Sequence, residues 1–232
     1  MLYALRHPVA LLGLAVGFLL GVAVRGLVQA RLAARLGACS ALAQGQGRFD
    51  LRRELDPFGA VAAALGGVGW GRPVERPSYV RKDTRGRLRA VLLAGPAALA
   101  VRGGLLLAAS AAVGGPALAG TGIVSVTVAD TVHGSYVAPT PGQTLLLFAS
   151  VELLTMAVLA LIPMPPLDGG RILFLYAPRT RGWQKAEYHL VEQNIGTVIL
   201  LALLLIPLAG QGPLLLFLLD VILRPVLSLA SL

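Results

Sequence analysis

Few residues in this chain could do chemistry inside an apolar environment, and Asp168 stands in the most telling context. The stretch 161–173 reads LIPMPPLDGGRIL: prolines end an apolar run, an acid follows, and paired glycines let the chain turn closely into a new helix. A carboxylate at membrane depth is costly without a partner, so Asp168 is the first candidate for a functional group. Arg25, Arg102, Glu152 and Asp220 also lie inside apolar runs, and each is expected to face protein, a cavity or a partner rather than lipid. Other reactive types are sparse. His7, His133 and His189 are far apart and show no paired ligand spacing, and the single cysteine, Cys39, permits no intramolecular disulfide.

The elements that must position these groups are set by composition. Of 232 residues, 56% are hydrophobic and only 13% charged, against about 25% charged in soluble domains. Mean hydropathy is +0.76. These values exclude a soluble globular enzyme, and a net charge of +9 dispersed in an apolar background excludes a nucleic-acid-binding tail. The pattern predicts one integral membrane domain over 1–232, an all-α polytopic fold with about five transmembrane helices at 8–30, 88–113, 145–162, 195–208 and 214–229. The first run reads as a span rather than a removed leader, because helical patterning continues through Arg25 to Leu36 before Gly37 stops it. Between the first two spans, 56–74 is too short and Gly-rich to cross and reads as a re-entrant or β element.

Basic residues set the orientation. Seven (Arg72, Arg76, Arg81, Lys82, Arg85, Arg87 and Arg89) lie before or at the start of the second span, Arg171, Arg179, Arg181 and Lys185 follow the third, and 103–170 contains none. The Arg-rich loops are therefore expected in the cytoplasm, and the loop 114–142 outside. Within that loop 121–129 alternates with period two and 135–137 follows His133-Gly134, so a short external β-hairpin is expected. The expected location is the cell membrane, multi-pass.

The string around Asp168 resembles the second signature of the site-2 protease family of intramembrane zinc metalloproteases, N-x-x-P-x-P-P-L-D-G-G, whose Asp is the third zinc ligand. The resemblance runs through most of the chain. DPFG at 56–59 and GWGRPV at 69–74 are similar to the family's re-entrant segment and G-W-x-x-P-V strand, AGP at 94–96 to the opening of its next span, and EQNIG at 192–196 to its last helix entry. The compact bacterial branch without a PDZ domain fits best. That family carries H-E-x-x-H at the inner end of its first span, two histidines for zinc and a glutamate to activate water. The matching positions here are Arg25-Gly26-Leu27-Val28-Gln29, and the family's two asparagines are replaced by Ala160 and Leu99.

A hydrolytic zinc site needs about three protein ligands and a general base. Asp168 alone supplies one ligand, Arg25 is a permanent cation, and Gly26 has no side chain to accept a proton. Arg25, Gly26, Gln29, Ala160 and Asp168 are thus degenerate active-site positions, with no catalytic residue and no cofactor expected. Arg25 is expected either to replace the metal as counter-charge of Asp168, with Gln29 completing the hydrogen bonding, or to turn to the cytoplasmic surface. The resemblance implies a non-catalytic pseudoprotease that binds a segment of another integral membrane protein or serves in a membrane complex. Gly69, Trp70, Gly71, Pro73 and Val74 are its candidate binding edge by strand addition. The alternative is an active zinc protease with atypical ligands, in which Asp168 alone would be a recognisable metal ligand. Anionic lipid at the basic loop 72–89 is a further expected partner, at roughly 1 kcal/mol per well-placed basic residue; nucleic acid is not.

Overall fold

The computed structural model describes residues 7–37, 51–73, 82–114, 128, 131, 140–178, 180–208 and 212–228. Three long helices form the frame: α1 (Pro8–Leu36), α4 (Lys82–Gly114) and α5 (Pro141–Leu161). Each is long and apolar enough to cross a bilayer. Their ends follow from sequence. Pro8 and Pro141 occupy first-turn positions, the Thr140 hydroxyl accepts from Gln143 N at 3.2 Å, and Gly37 closes α1 in the left-handed region at φ 57°.

Close approach of α1 and α5 rests on a glycine stripe. A Cβ at Gly13 would stand 2.9 Å from Phe148 Cβ, at Gly17 2.9 Å from Ala149 Cα, and at Gly21 2.6 Å from Met156 Sδ. Without a hydrophobic drive between helices in lipid, small residues four apart allow the backbone contact that replaces it. Phe18, Val22, Leu99, Leu153 and Met156 fill the centre of the bundle, and Leu88, Leu92 and Leu175 its basic end. Outward positions such as Leu105, Val101 and Val198 are more than 60% exposed, a surface suited to hydrocarbon rather than water.

Shorter elements surround this frame: α2 (Leu51–Glu54), α3 (Pro57–Gly66), α6 (Asp168–Tyr176), α7 (Arg181–Glu187), α8 (Ile195–Leu205) and α9 (Leu214–Ser228). The five expected spans are thereby reduced. The fourth, 195–208, is the 11-residue α8, which meets α7 and the π-helical turn Tyr188–Glu192 at 64°, and α9, at 15 residues, is short for a span. Long helices in the described residues number three, or four if that bent pair crosses as one.

The element at 56–74 is chiefly the helix α3, capped by the Asp56 carboxylate on Phe58 N, followed by an extended return whose β character is a single antiparallel bridge, Leu55 to Gly71. Gly59 and Gly69 let helix and return touch, because a side chain on either would strike the other's backbone. The expected external hairpin falls outside the described residues except for Val128 and Thr131, which are both fully buried. Strand pairing occurs instead between β1 (Pro207–Leu208) and β2 (Gly212–Pro213).

The intramembrane charges divide. Asp220 on α9 accepts from Val128 N at 3.0 Å and from Arg224 at 3.1 Å. Arg102 on α4 is exposed on this chain. Glu152 is 1% exposed beside Gly17, and both its carboxyl oxygens lack a hydrogen-bond partner among the described residues. Glu152→Leu should therefore raise the unfolding midpoint in detergent, by the equivalent of roughly 1–3 kcal/mol, whereas Gly17→Leu should lower it by a similar amount through overpacking. A drop for Glu152→Leu would mean that the carboxyl has a stabilising partner.

Candidate functional site

Arg25 lies on the buried face of α1, and Asp168 opens α6 directly after the proline loop. The two meet across the bundle side-on: Arg25 Nε donates to Asp168 Oδ2 at 2.9 Å and Nη2 to Oδ1 at 2.6 Å. Gln29, one helical turn along α1, donates through Nε2 to Asp168 Oδ2 at 3.1 Å and to the Leu92 carbonyl at 3.4 Å. Arg25 is 5% exposed, Gln29 1% and Asp168 0%, so the guanidinium points into the protein rather than out to the cytoplasmic surface. Its remaining arm, Nη1, donates to the Arg72 carbonyl at 2.9 Å. One side chain thus ties α1, the return strand and the proline loop together. Gly95 of the AGP segment makes the room: a Cβ there would stand 2.6 Å from Gln29 Nε2 and 2.9 Å from Arg25 Cγ.

Glu54 was not singled out from sequence, yet it belongs to this cluster. A Cβ at Gly26 would lie 2.6 Å from the Glu54 carboxyl carbon, so an acid arriving from α2 fills the space that a side chain at position 26 would occupy. Burial pushes the Glu54 carboxyl above its ordinary range, while the charges of Arg25 and Arg72 pull it back. Its backbone carbonyl accepts from Arg72 N at 2.7 Å. A bare glycine on the buried face of a helix, facing an arginine-flanked acid, was the available signal.

The re-entrant unit is closed by Asp56, which accepts from Phe58 N at 3.2 Å and from Trp70 Nε1 at 2.6 Å. Trp70 is buried, Gly69 packs on Ala63 and Phe18, and Gly71 lies beside Arg25. Pro73 borders a separate cavity, and Val74 lies outside the described residues. Along this edge both backbone groups of Arg72 are engaged within the chain, its N–H by Glu54 and its carbonyl by Arg25.

Between Arg25, Trp70, Met156, Ala160 and Asp168 remains a cavity of about 10 Å³. That is about the space of a single water, not of a peptide group. Its chemistry is that of a satisfied ion pair. Both oxygens of Asp168 accept from a guanidinium, the Glu54 carboxyl lies against Gly26, and among the described residues no three His, Cys, Asp or Glu side chains are grouped to hold a metal. This donor set does not fit zinc, because a permanent cation already occupies the acid. His7 is exposed at the start of α1, His189 pairs with Gln193 at 2.6 Å on an exposed turn, and His133 is outside the described residues.

Arg25→Ala and Asp168→Ala should each destabilise by ~3–5 kcal/mol, since either leaves a buried charge uncompensated, while the double variant Arg25→Ala with Asp168→Ala should cost much less than their sum. Denaturant unfolding in detergent reads the cycle, and additive losses would disprove the pairing. Gly26→Ala should destabilise by displacing Glu54, and Glu54→Ala should rescue it in the double variant; failure of that rescue would place the clash elsewhere.

Over 217 residues, 89% of this chain and 86% of the other, the sequence is 29% identical to YwhC of Bacillus subtilis (strain 168), a protein named provisionally as a zinc metalloprotease. No protein-family model and no solved structure matches the chain. By sequence, then, the chain is similar to a protein carrying a zinc metalloprotease name, over most of the length of both.

Proposed function

We propose that this is a non-catalytic, site-2-protease-like protein of the cell membrane, in which the Arg25 guanidinium stands where the resemblance puts the first zinc ligand. The observation that carries the reading is the buried bidentate pair of Arg25 with Asp168, at 2.9 and 2.6 Å. A zinc hydrolase needs an open coordination position with a bound water and a base beside it. Here the acid is saturated by an arginine, which stays protonated and is no base, and the surrounding cavity of about 10 Å³ leaves no place for a scissile peptide.

What the scaffold keeps is a shape. Its proposed work is to hold a segment of another integral membrane protein, or to serve as a fixed subunit of a membrane complex, with 69–74 as the contact edge and the basic loop 72–89 against anionic headgroups. Similarity to a protein named as a metalloprotease favours the second reading, an active zinc enzyme with atypical ligands, of which Asp168 would be one.

Metal analysis of the purified protein separates them. Zinc far below one atom per chain, unchanged by Asp168→Ala, is the expected result; stoichiometric zinc lost in that variant would overturn the proposal. Grafting Arg25→His, Gly26→Glu and Gln29→His should create zinc binding only when Glu54→Ala is added, because Glu54 occupies the space the new glutamate needs.

A further inference from the structure

Behind the proline loop lies a larger hollow that the charged site does not use. A cavity of about 190 Å³ is bordered by Pro73, Pro165, Arg171, Phe174, Asn194 and Thr197. At about 30 Å³ per water, it has room for roughly six waters. Among the described residues no acidic side chain lines it, and its polar lining is rich in donors: the Arg171 guanidinium, the Asn194 amide and the Thr197 hydroxyl. Thr197 is only 4% exposed, and its hydroxyl makes no hydrogen bond among the described residues, whereas those of Thr144 and Thr155 close on carbonyls one turn back. Asn194 holds the left-handed conformation at φ 54° at the start of α8 and makes no side-chain cap, which leaves its amide free of that duty. The first turn of α8 adds the positive end of its dipole to the same wall.

The rest of the lining is prolines, Phe174, Leu190 and Val191, a surface for hydrocarbon rather than for a hydrated ion. The adjoining segments carry Arg72, Arg181 and Lys185, the basic face that the charge rule assigns to the cytoplasm. We infer that this cavity binds the phosphate of an anionic phospholipid headgroup, with Arg171 and Thr197 on the phosphate oxygens and the glycerol end against the prolines. Such a headgroup would brace the site from behind. Pro73 follows Arg72, whose carbonyl Arg25 holds, and Pro165 and Pro166 lead directly to Asp168.

Phe174 provides a reporter, because its ring packs edge-on to Trp183 at 5.8 Å. Purified protein in an uncharged detergent is titrated with dioctanoyl phosphatidylglycerol, inorganic phosphate or dioctanoylglycerol, and tryptophan fluorescence is followed with Trp183→Phe as the blank. Saturable binding of the phosphatidylglycerol is expected, weakened about tenfold by Thr197→Val and by Asn194→Gly, which keeps the left-handed backbone, and more by Arg171→Gln. The first two variants carry the test even if the third does not fold. Tighter binding of the lipid than of inorganic phosphate, with the same variant dependence, identifies the lipid as the ligand. Equal affinity for both identifies free phosphate and overturns the lipid assignment. Equal binding of dioctanoylglycerol, no saturable binding, or affinities untouched by Thr197→Val and Asn194→Gly overturn the site, as does displacement of the lipid by a peptide carboxylate but not by phosphate.

Discussion

A guanidinium and a carboxylate buried together inside a membrane bundle set the terms for everything around them. Removing either charge from water costs several kcal/mol, and the attraction between them repays that only if the geometry is good and the remaining donors and acceptors are filled. Arg25 and Asp168 meet those terms by borrowing from four other residues. Gln29 takes the open side of the carboxylate, the Arg72 carbonyl takes the free arm of the guanidinium, Gly95 withdraws a side chain to admit both, and Glu54 brings a second carboxyl into the gap at Gly26. The residues that look unremarkable alone are there because the pair requires them.

The same economy of space governs the helices. Gly13, Gly17 and Gly21 bring α1 against α5, and this closeness places Arg25 within reach of a loop 143 residues away in the chain. Where the bundle does not supply partners, the contrast is plain. Glu152 sits in the same interface, as buried as Gln29, without a hydrogen bond among the described residues. Burial by itself therefore does not produce a site; convergence of segments does.

A metal centre and an ion pair answer the same electrostatic demand with different consequences. Either neutralises an acid that the fold places at membrane depth, but a metal keeps an open position for water and a saturated guanidinium does not. In this chain the proline loop and the return strand are both held by Arg25, through Asp168 and the Arg72 carbonyl.

Much of this was legible along the chain. Apolar runs bounded by Pro and Gly announced the long helices, because a bilayer demands about 20 apolar residues per crossing, and the acid after LIPMPPL announced that something must neutralise it. Local signals failed where pairing between distant segments decides. The 56–74 region became a helix because Asp56 both caps it and holds Trp70, a choice that no period in its Ala and Gly run reveals. The run 195–208 became the short α8, set at 64° to α7 and its π turn, and Arg102 is exposed, outcomes that no local period encodes. By itself the sequence determined that the chain is a membrane bundle lacking the H-E-x-x-H atoms. Only the tertiary structure decided that Arg25 turns inward to Asp168 and that Glu54 fills the gap at Gly26, since both are contacts across long stretches of chain whose energy exists only once the helices have closed around them.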